Sequence, residues 1–189
     1  MRKVIMLLSV GFISQVIVSC CQCGETFTTE ILYNGVRITP YDNAGFFPRV
    51  ATDTVYKNAF GLDIELNFET QIVENSVGFG FNSALAFQCD CNEYDERIYP
   101  DPIQRMEITM EDQESGQDII VTDLFRIESN DGDFVNLNIF FEQRPEWQDR
   151  FRIELADYNS IPDSGVFKAE VFLKSGNSFV EQTAIINFF

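Results

Sequence analysis

Apolar and polar residues alternate with a period of two in four short stretches of this chain. Phe60, Leu62, Ile64, Leu66 and Phe68 take every other position against Gly61, Asp63, Glu65, Asn67 and Glu69. Val135, Leu137, Ile139 and Phe141 alternate with Asn136 and Asn138, with Phe140 out of phase. Phe151, Ile153 and Leu155 alternate with Arg152 and Glu154, and Phe167, Ala169, Val171 and Leu173 with Lys168 and Glu170. Successive side chains of a strand point to opposite faces. Each pattern therefore predicts a strand with one buried and one wet face, as antiparallel sheets have. Weaker patterns predict strands at 30–39, 76–88, 103–110, 118–121 and 180–188. Gly78 and Gly80 mark a bulge or a close backbone approach in the second of these. Asn34-Gly35, Asp131-Gly132, Ser175-Gly176-Asn177 and the stretch Pro162–Gly165 carry turn chemistry between strands. No stretch sustains a 3.6-residue period, which confines helix to short pieces such as Thr122–Phe125.

Eight or nine such strands over residues 29–189 predict an all-β fold, a two-sheet antiparallel β-sandwich. Asp163-Ser164-Gly165-Val166-Phe167, leading into Ala169 and Val171, resembles the Asp-x-Gly-x-Tyr start of the penultimate strand in immunoglobulin-like domains. The resemblance implies an immunoglobulin-like sandwich. Phe167 stands where that family has Tyr, so the hydroxyl bond of the tyrosine corner cannot form, and the Cys–Trp–Cys framework of antibody domains is missing.

The first 19 residues change the picture from a bare domain to an exported one. Arg2 and Lys3 precede an apolar run from Val4 to Val18, and Ile17-Val18-Ser19-Cys20 closes it. Roughly 15 apolar residues make a helix of about 22 Å, short of a ~30 Å bilayer core, so an export signal fits better than a spanning helix. The closing four residues resemble a bacterial lipobox. That implies cleavage before Cys20, acylation of this cysteine, and a tether at 20–28 ahead of the sandwich. The other cysteines are Cys21, Cys23, Cys89 and Cys91, two Cys-x-Cys pairs. In an oxidising compartment an even number favours disulfides of undetermined connectivity. A Cys-only metal site, a redox pair and free thiols are the alternatives, although no Cys-x-x-Cys spacing is present.

Charge and composition narrow the function. The chain carries 30 acidic and 13 basic residues, a formal charge of -17, and removing the signal makes it two units more negative. So acidic a protein repels nucleic acid and anionic headgroups, so membrane attachment falls to the lipid alone. With no histidine, Ser-His-Asp and Cys-His catalysis and His-ligated zinc are excluded.

Three constellations invite chemistry. Glu128, Asn130, Asp131 and Asp133 around Gly132 suggest calcium, but Ile127 and Ser129 stand where an EF-hand needs ligands, which leaves a hairpin turn. Asp90, Glu93, Asp95 and Glu96 cluster around Cys91 and read as an exposed loop before they read as a cation site. A carboxylate pair on a sandwich face could serve glycoside hydrolysis, yet in so acidic a chain some pair meets the distance by chance. No catalytic residue, metal ligand or cofactor is assigned. Aromatics off the predicted strands are the remaining signal: Tyr41, Phe46, Phe47, Tyr94, Tyr99 and Trp147 are candidate binding-loop residues, with Tyr56 and Tyr158 beside them. Phe46-Phe47-Pro48 lies in the connection 40–58, longer than a passive loop usually is.

Taken together, Ile17–Cys20, the Cys-x-Cys beside it, Phe87-Gln88-Cys89-Asp90-Cys91 and the stretch Ile103–Phe125 resemble the small lipoproteins common in Bacteroidota. The resemblance implies a lipid-anchored protein of the bacterial cell envelope, at the outer membrane, with no established activity. Surface-export signals of that phylum are acidic and directly follow the lipidated cysteine. Here Cys21-Gln22-Cys23-Gly24 comes first, which leaves either leaflet open. The expected function is a non-enzymatic interaction module binding an envelope protein or a glycan. A carboxylate-based enzyme such as a glycosidase, and an acidic inhibitor or immunity-type protein, are the alternatives.

Overall fold

The computed structural model describes residues 26–76, 95–129, 132–143 and 149–189. The expected signal at 1–19, Cys20, the other four cysteines and nearly all of the predicted strand at 76–88 lie outside these residues. The chain divides into two compact units, residues 1–30 with 70–98 and residues 31–69 with 99–189. The strands are β1 (Thr26–Asp42), β2 (Arg49–Val50), β3 (Thr54–Val55), β4 (Phe60–Ser76), β5 (Asp95–Ile98), β6 (Ile103–Asp112) and β7 (Asp118–Ile120). They continue as β8 (Phe125–Glu128), β9 (Phe134–Asn136), β10 (Arg150–Leu155), β11 (Ser164–Leu173), β12 (Ser178–Gln182) and β13 (Ile186–Phe188). In the first unit, Phe27–Glu30 pair in parallel with β5.

The second unit contains two sheets. One has the order β2-β1-β4-β10-β8-β9 and the other β3-β13-β11-β6-β7, with β12 also on β11. β11 runs antiparallel to both β6 and β12, while β13 meets β3 in parallel. The alternating residues decide which side of each sheet faces inward. Phe60, Leu62, Ile64 and Leu66 of β4 are buried, as are Phe151, Ile153 and Leu155 of β10 and Phe167, Ala169, Val171 and Leu173 of β11. The rings of Phe60 and Phe125 from one sheet meet those of Phe167 and Phe188 from the other, Phe60 and Phe167 at 4.8 Å. The result is the all-β, two-sheet sandwich arrangement that the alternation predicts.

Four local readings are corrected. The segment 135–141 is not one strand: β9 ends at Asn136 and a helix, α1, spans Leu137–Gln143. Leu137, Phe140 and Phe141 are buried while Ile139 is exposed, the i, i+3, i+4 spacing of a helix face. Asn136 Oδ1 accepts the Asn138 N–H at 2.9 Å, an N-cap bond. Phe140, which broke the alternation, was therefore the helical signal. Second, Asn34-Gly35 lies inside β1 rather than at a turn. Third, Phe68 is 38% exposed, so the buried face of β4 closes at Leu66. Fourth, 180–188 is two strands, β12 and β13, separated where Thr183 takes over the ladder. Its hydroxyl accepts the Phe167 N–H at 3.1 Å and its own N–H donates to Phe167 O at 2.9 Å.

The expected short helical turn is present at Thr122–Leu124. Thr122 Oγ1 accepts the Ile108 N–H at 2.8 Å, satisfying β6 just where β7 leaves it. Gly176, at φ +93°, turns β11 into β12.

Candidate functional site

The candidate site is built on the β1–β4 pair. Asn34 Nδ2 donates to Glu69 Oε1 at 3.2 Å, Arg37 pairs with Glu65, and the Asn43 N–H donates to Ala59 O at 2.8 Å. These contacts run in opposite order along the two strands, so the pair is antiparallel from Asn34/Glu69 to Asn43/Ala59. At the Asn43 end β1 turns back into β2, with Tyr41 opposite Val50 and Asp42 opposite Arg49. The loop between them is 43–48. Its base is fixed by Asp42 Oδ1, which accepts the Ala44 N–H at 2.8 Å, and by Asn43 Nδ2, which donates to Glu154 Oε1 at 3.0 Å. The Ala51 N–H closes the far side on Pro40 O at 2.9 Å.

With its base pinned, the loop tip carries its apolar side chains outward. Phe46 is 93% exposed and Phe47 69% exposed, their rings edge-to-face at 4.8 Å. Val50 beside them is also exposed. Behind the loop a cleft of 460 Å³ is lined by Asn43, Ala44, Tyr56, Asn58 and Glu154. Tyr56 stands half-exposed at its rim, against the Phe189 ring at 4.3 Å.

Tyr41 is a correction to the set of loop aromatics. It lies in β1, is 4% exposed, and spreads its ring over Gly61 on the outer side of the sheet. A Cβ at position 61 would come within 2.5 Å of the Tyr41 hydroxyl and 2.6 Å of Ile153 O. Only glycine leaves room for the ring. The hydroxyl donates to Ile153 O at 3.2 Å and Arg152 stacks over the ring at 5.4 Å. Burial, and after it the neighbouring Glu154 carboxylate, raises the Tyr41 pKa above the usual tyrosine range. Gly61 within an alternating strand was the signal for this close approach.

Below Tyr41 the same face carries an ion-pair ladder. Arg150 holds both oxygens of Asp63, Nε to Oδ1 at 2.8 Å, and Arg152 stands 3.6 Å from Asp63 Oδ2. Hydrogen bonding from Arg150 holds the Asp63 carboxyl below the usual range, against the opposing effect of burial. A glycosidase general acid needs the reverse displacement. Asp112, the other carboxylate with a clear shift among the described residues, is also lowered, chiefly by the Ser115 hydroxyl.

Tyr99 is half-buried and stacks on Tyr33 at 6.1 Å, a packing role rather than an open binding ring. Tyr158 is exposed, on the short turn Tyr158–Ser160. Tyr94 and Trp147 lie outside the described residues. So do Asp90, Cys91 and Glu93 of the acidic cluster, whereas Asp95 and Glu96 lie in β5. Among the described residues there is no group of three or more Asp, Glu or Cys placed to hold a metal, and no helix long and apolar enough to cross a membrane. A second cleft, of 580 Å³, lies beside β6 and α1, lined by Arg105, Ile120, Asp123, Asn138 and Glu142 among others. Arg105 is already engaged there, its guanidinium 3.5 Å over the Phe172 ring and 3.2 Å from Glu107. No family model, no curated protein and no solved structure matches the chain.

Proposed function

We propose that this is a lipid-anchored protein of the bacterial cell envelope, held at the outer membrane through Cys20, whose sandwich is a non-enzymatic interaction module. The binding surface is the 43–48 loop. One observation carries the reading: Phe46 and Phe47 are strongly exposed on a loop whose base is fixed by hydrogen bonds at Asp42, Asn43 and Ala51 and by the pairing of β1 with β2. Leaving a phenylalanine exposed forgoes about 1.5–3 kcal/mol of burial. That free energy becomes available when a partner covers the rings, and a pinned loop base keeps the ordering cost of binding low. The sequence around Cys20 supports the anchor, and the strong negative charge supports a target other than nucleic acid.

A photo-crosslinking residue at position 47 in the native envelope tests the binding surface. Adducts that depend on Phe46 support it, and adducts undiminished by Phe46→Ser contradict it. For the anchor, Cys20→Ser should leave an unacylated, unprocessed precursor. Normal processing and detergent partitioning of that variant would rule out the lipoprotein reading.

A further inference from the structure

The cleft behind the 43–48 loop is divided in character. Separate segments of the larger unit converge on it: the chain at Asn43 just past β1, the turn Lys57–Ala59 with Tyr56 before it, and the end of β10 at Glu154 and Leu155. Phe60 and Leu155, both buried, give it an apolar floor. Asn43, Asn58 and Glu154 supply two amides and one carboxylate, and Tyr56 stands half-exposed at the rim. Its 460 Å³ falls within the roughly 300–1,000 Å³ of small-ligand clefts.

The walls are held before any ligand arrives. Asn43 Nδ2 donates to Glu154 Oε1 at 3.0 Å, and the Asn43 N–H donates to Ala59 O at 2.8 Å. The Ala59 N–H closes the turn on Tyr56 O at 3.0 Å, and the Tyr56 ring meets that of Phe189. Groups fixed in this way lower the ordering cost of binding.

Charge limits the ligand class. The neighbouring cations are engaged elsewhere: Lys57 on Ile161 O and Asp163, and Arg152 over the Tyr41 ring and beside Asp63. Glu154 is the one charged side chain among the described residues that line the cleft. An anionic ligand therefore meets no counter-charge. Amides both donate and accept, a carboxylate accepts from paired hydroxyls, and an aromatic rim suits an apolar C–H face. A pyranose ring combines these features, because its C–H faces are bounded by hydroxyls.

We infer that this cleft binds a neutral saccharide, with hydroxyls on Asn43, Asn58 and Glu154 and a ring face against Tyr56. This rests on the interaction-module reading above and adds to its loop surface a cleft with a ligand class of its own.

Titration calorimetry of the full-length lipidated protein, in a detergent without sugar headgroups, tests it. The probes are the neutral tetrasaccharides of glucose, mannose and N-acetylglucosamine, with cationic glucosamine and anionic galacturonate tetramers as controls. At least one neutral probe should bind at millimolar concentration, with little change on adding salt, and the galacturonate tetramer should not bind. Asn58→Ala and Tyr56→Ser should each weaken that binding at least tenfold, in protein whose denaturation curve shows it folded. No binding by any neutral probe, or tighter binding of either charged tetramer, would overturn the inference. Binding that both cleft variants leave intact and Phe46→Ser/Phe47→Ser abolishes would overturn the cleft as the site while supporting the loop. Saccharide binding lost in the cleft variants, beside crosslinks from position 47 that Phe46→Ser does not diminish, would support the cleft and contradict only the loop surface.

Discussion

Tyr41 and Phe46 are near neighbours in sequence, and both look like aromatics on one long connection, yet the structure gives them opposite fates. Tyr41 has a groove made for it, because Gly61 on the adjacent strand lacks the Cβ that would fill the space, and Ile153 O receives its hydroxyl. Among the described residues, Phe46 and Phe47 make ring contact only with each other. An aromatic ring becomes part of a fold when a neighbouring strand leaves it a surface and an acceptor. Where the chain supplies neither, the ring remains available to something outside. The first region spends its aromatic on stability, and the second holds two in reserve.

That contrast can be broken by substitution. The largest effect is expected in the core that both regions flank. Phe167→Ala should cost about 3–5 kcal/mol, because its ring is fully buried among Phe60, Phe125 and Phe188. Lys168→Ala, on the opposite face, should stay within ~0.5 kcal/mol. Urea denaturation of the two variants checks the strand register, since a one-residue slip would exchange the outcomes.

Tyr41→Ala should follow, at about 3 kcal/mol, with Tyr41→Phe costing only ~1 kcal/mol for the lost hydroxyl bond. Gly61→Ala should cost about 1–3 kcal/mol by driving a methyl into the Tyr41 ring and Ile153 O. In the Tyr41→Ala background much of that penalty should vanish, and a double-mutant cycle would measure the coupling. Additive effects would mean that the ring does not occupy the groove.

The Asp63–Arg150 pair is worth less, because Arg150 is largely exposed and water screens its charge. Its sign is set by the lowered Asp63 pKa. The stabilisation is present above the unfolded carboxylate pKa of about 3.9, and is lost as pH falls through the still lower folded value. The stability gap between the native chain and Asp63→Asn should therefore be full at neutral pH and close below about pH 4. A gap that widens on acidification would reverse the assignment. Smallest of all, Phe46→Ser and Phe47→Ser should each shift stability by no more than ~0.5 kcal/mol.

Legibility in the sequence followed the same physics. The strands around Phe60–Leu66, Phe151–Leu155 and Phe167–Leu173 were readable because one buried face imposes a strict period of two. The helix at Leu137–Gln143 was not, because seven residues hold too few turns to separate a period of 3.6 from one of two when Asn136 and Asn138 mimic a wet strand face. Tyr41 was misplaced because β1 extends to Asp42, held by pairing with β2 and β4 that its own residues do not encode. Phe46-Phe47-Pro48 was readable as a loop from its length and proline. Its exposure was not, because that depends on the absence of a neighbouring surface.

The account rests on Tyr41 being enclosed and the loop rings being open, and aromatic proton NMR with a soluble gadolinium chelate tests this directly. The ring protons of Phe46 and Phe47 should broaden strongly as the chelate is added while those of Tyr41 remain sharp. Comparable broadening of all three, or sharp Phe46 and Phe47 signals, would contradict it.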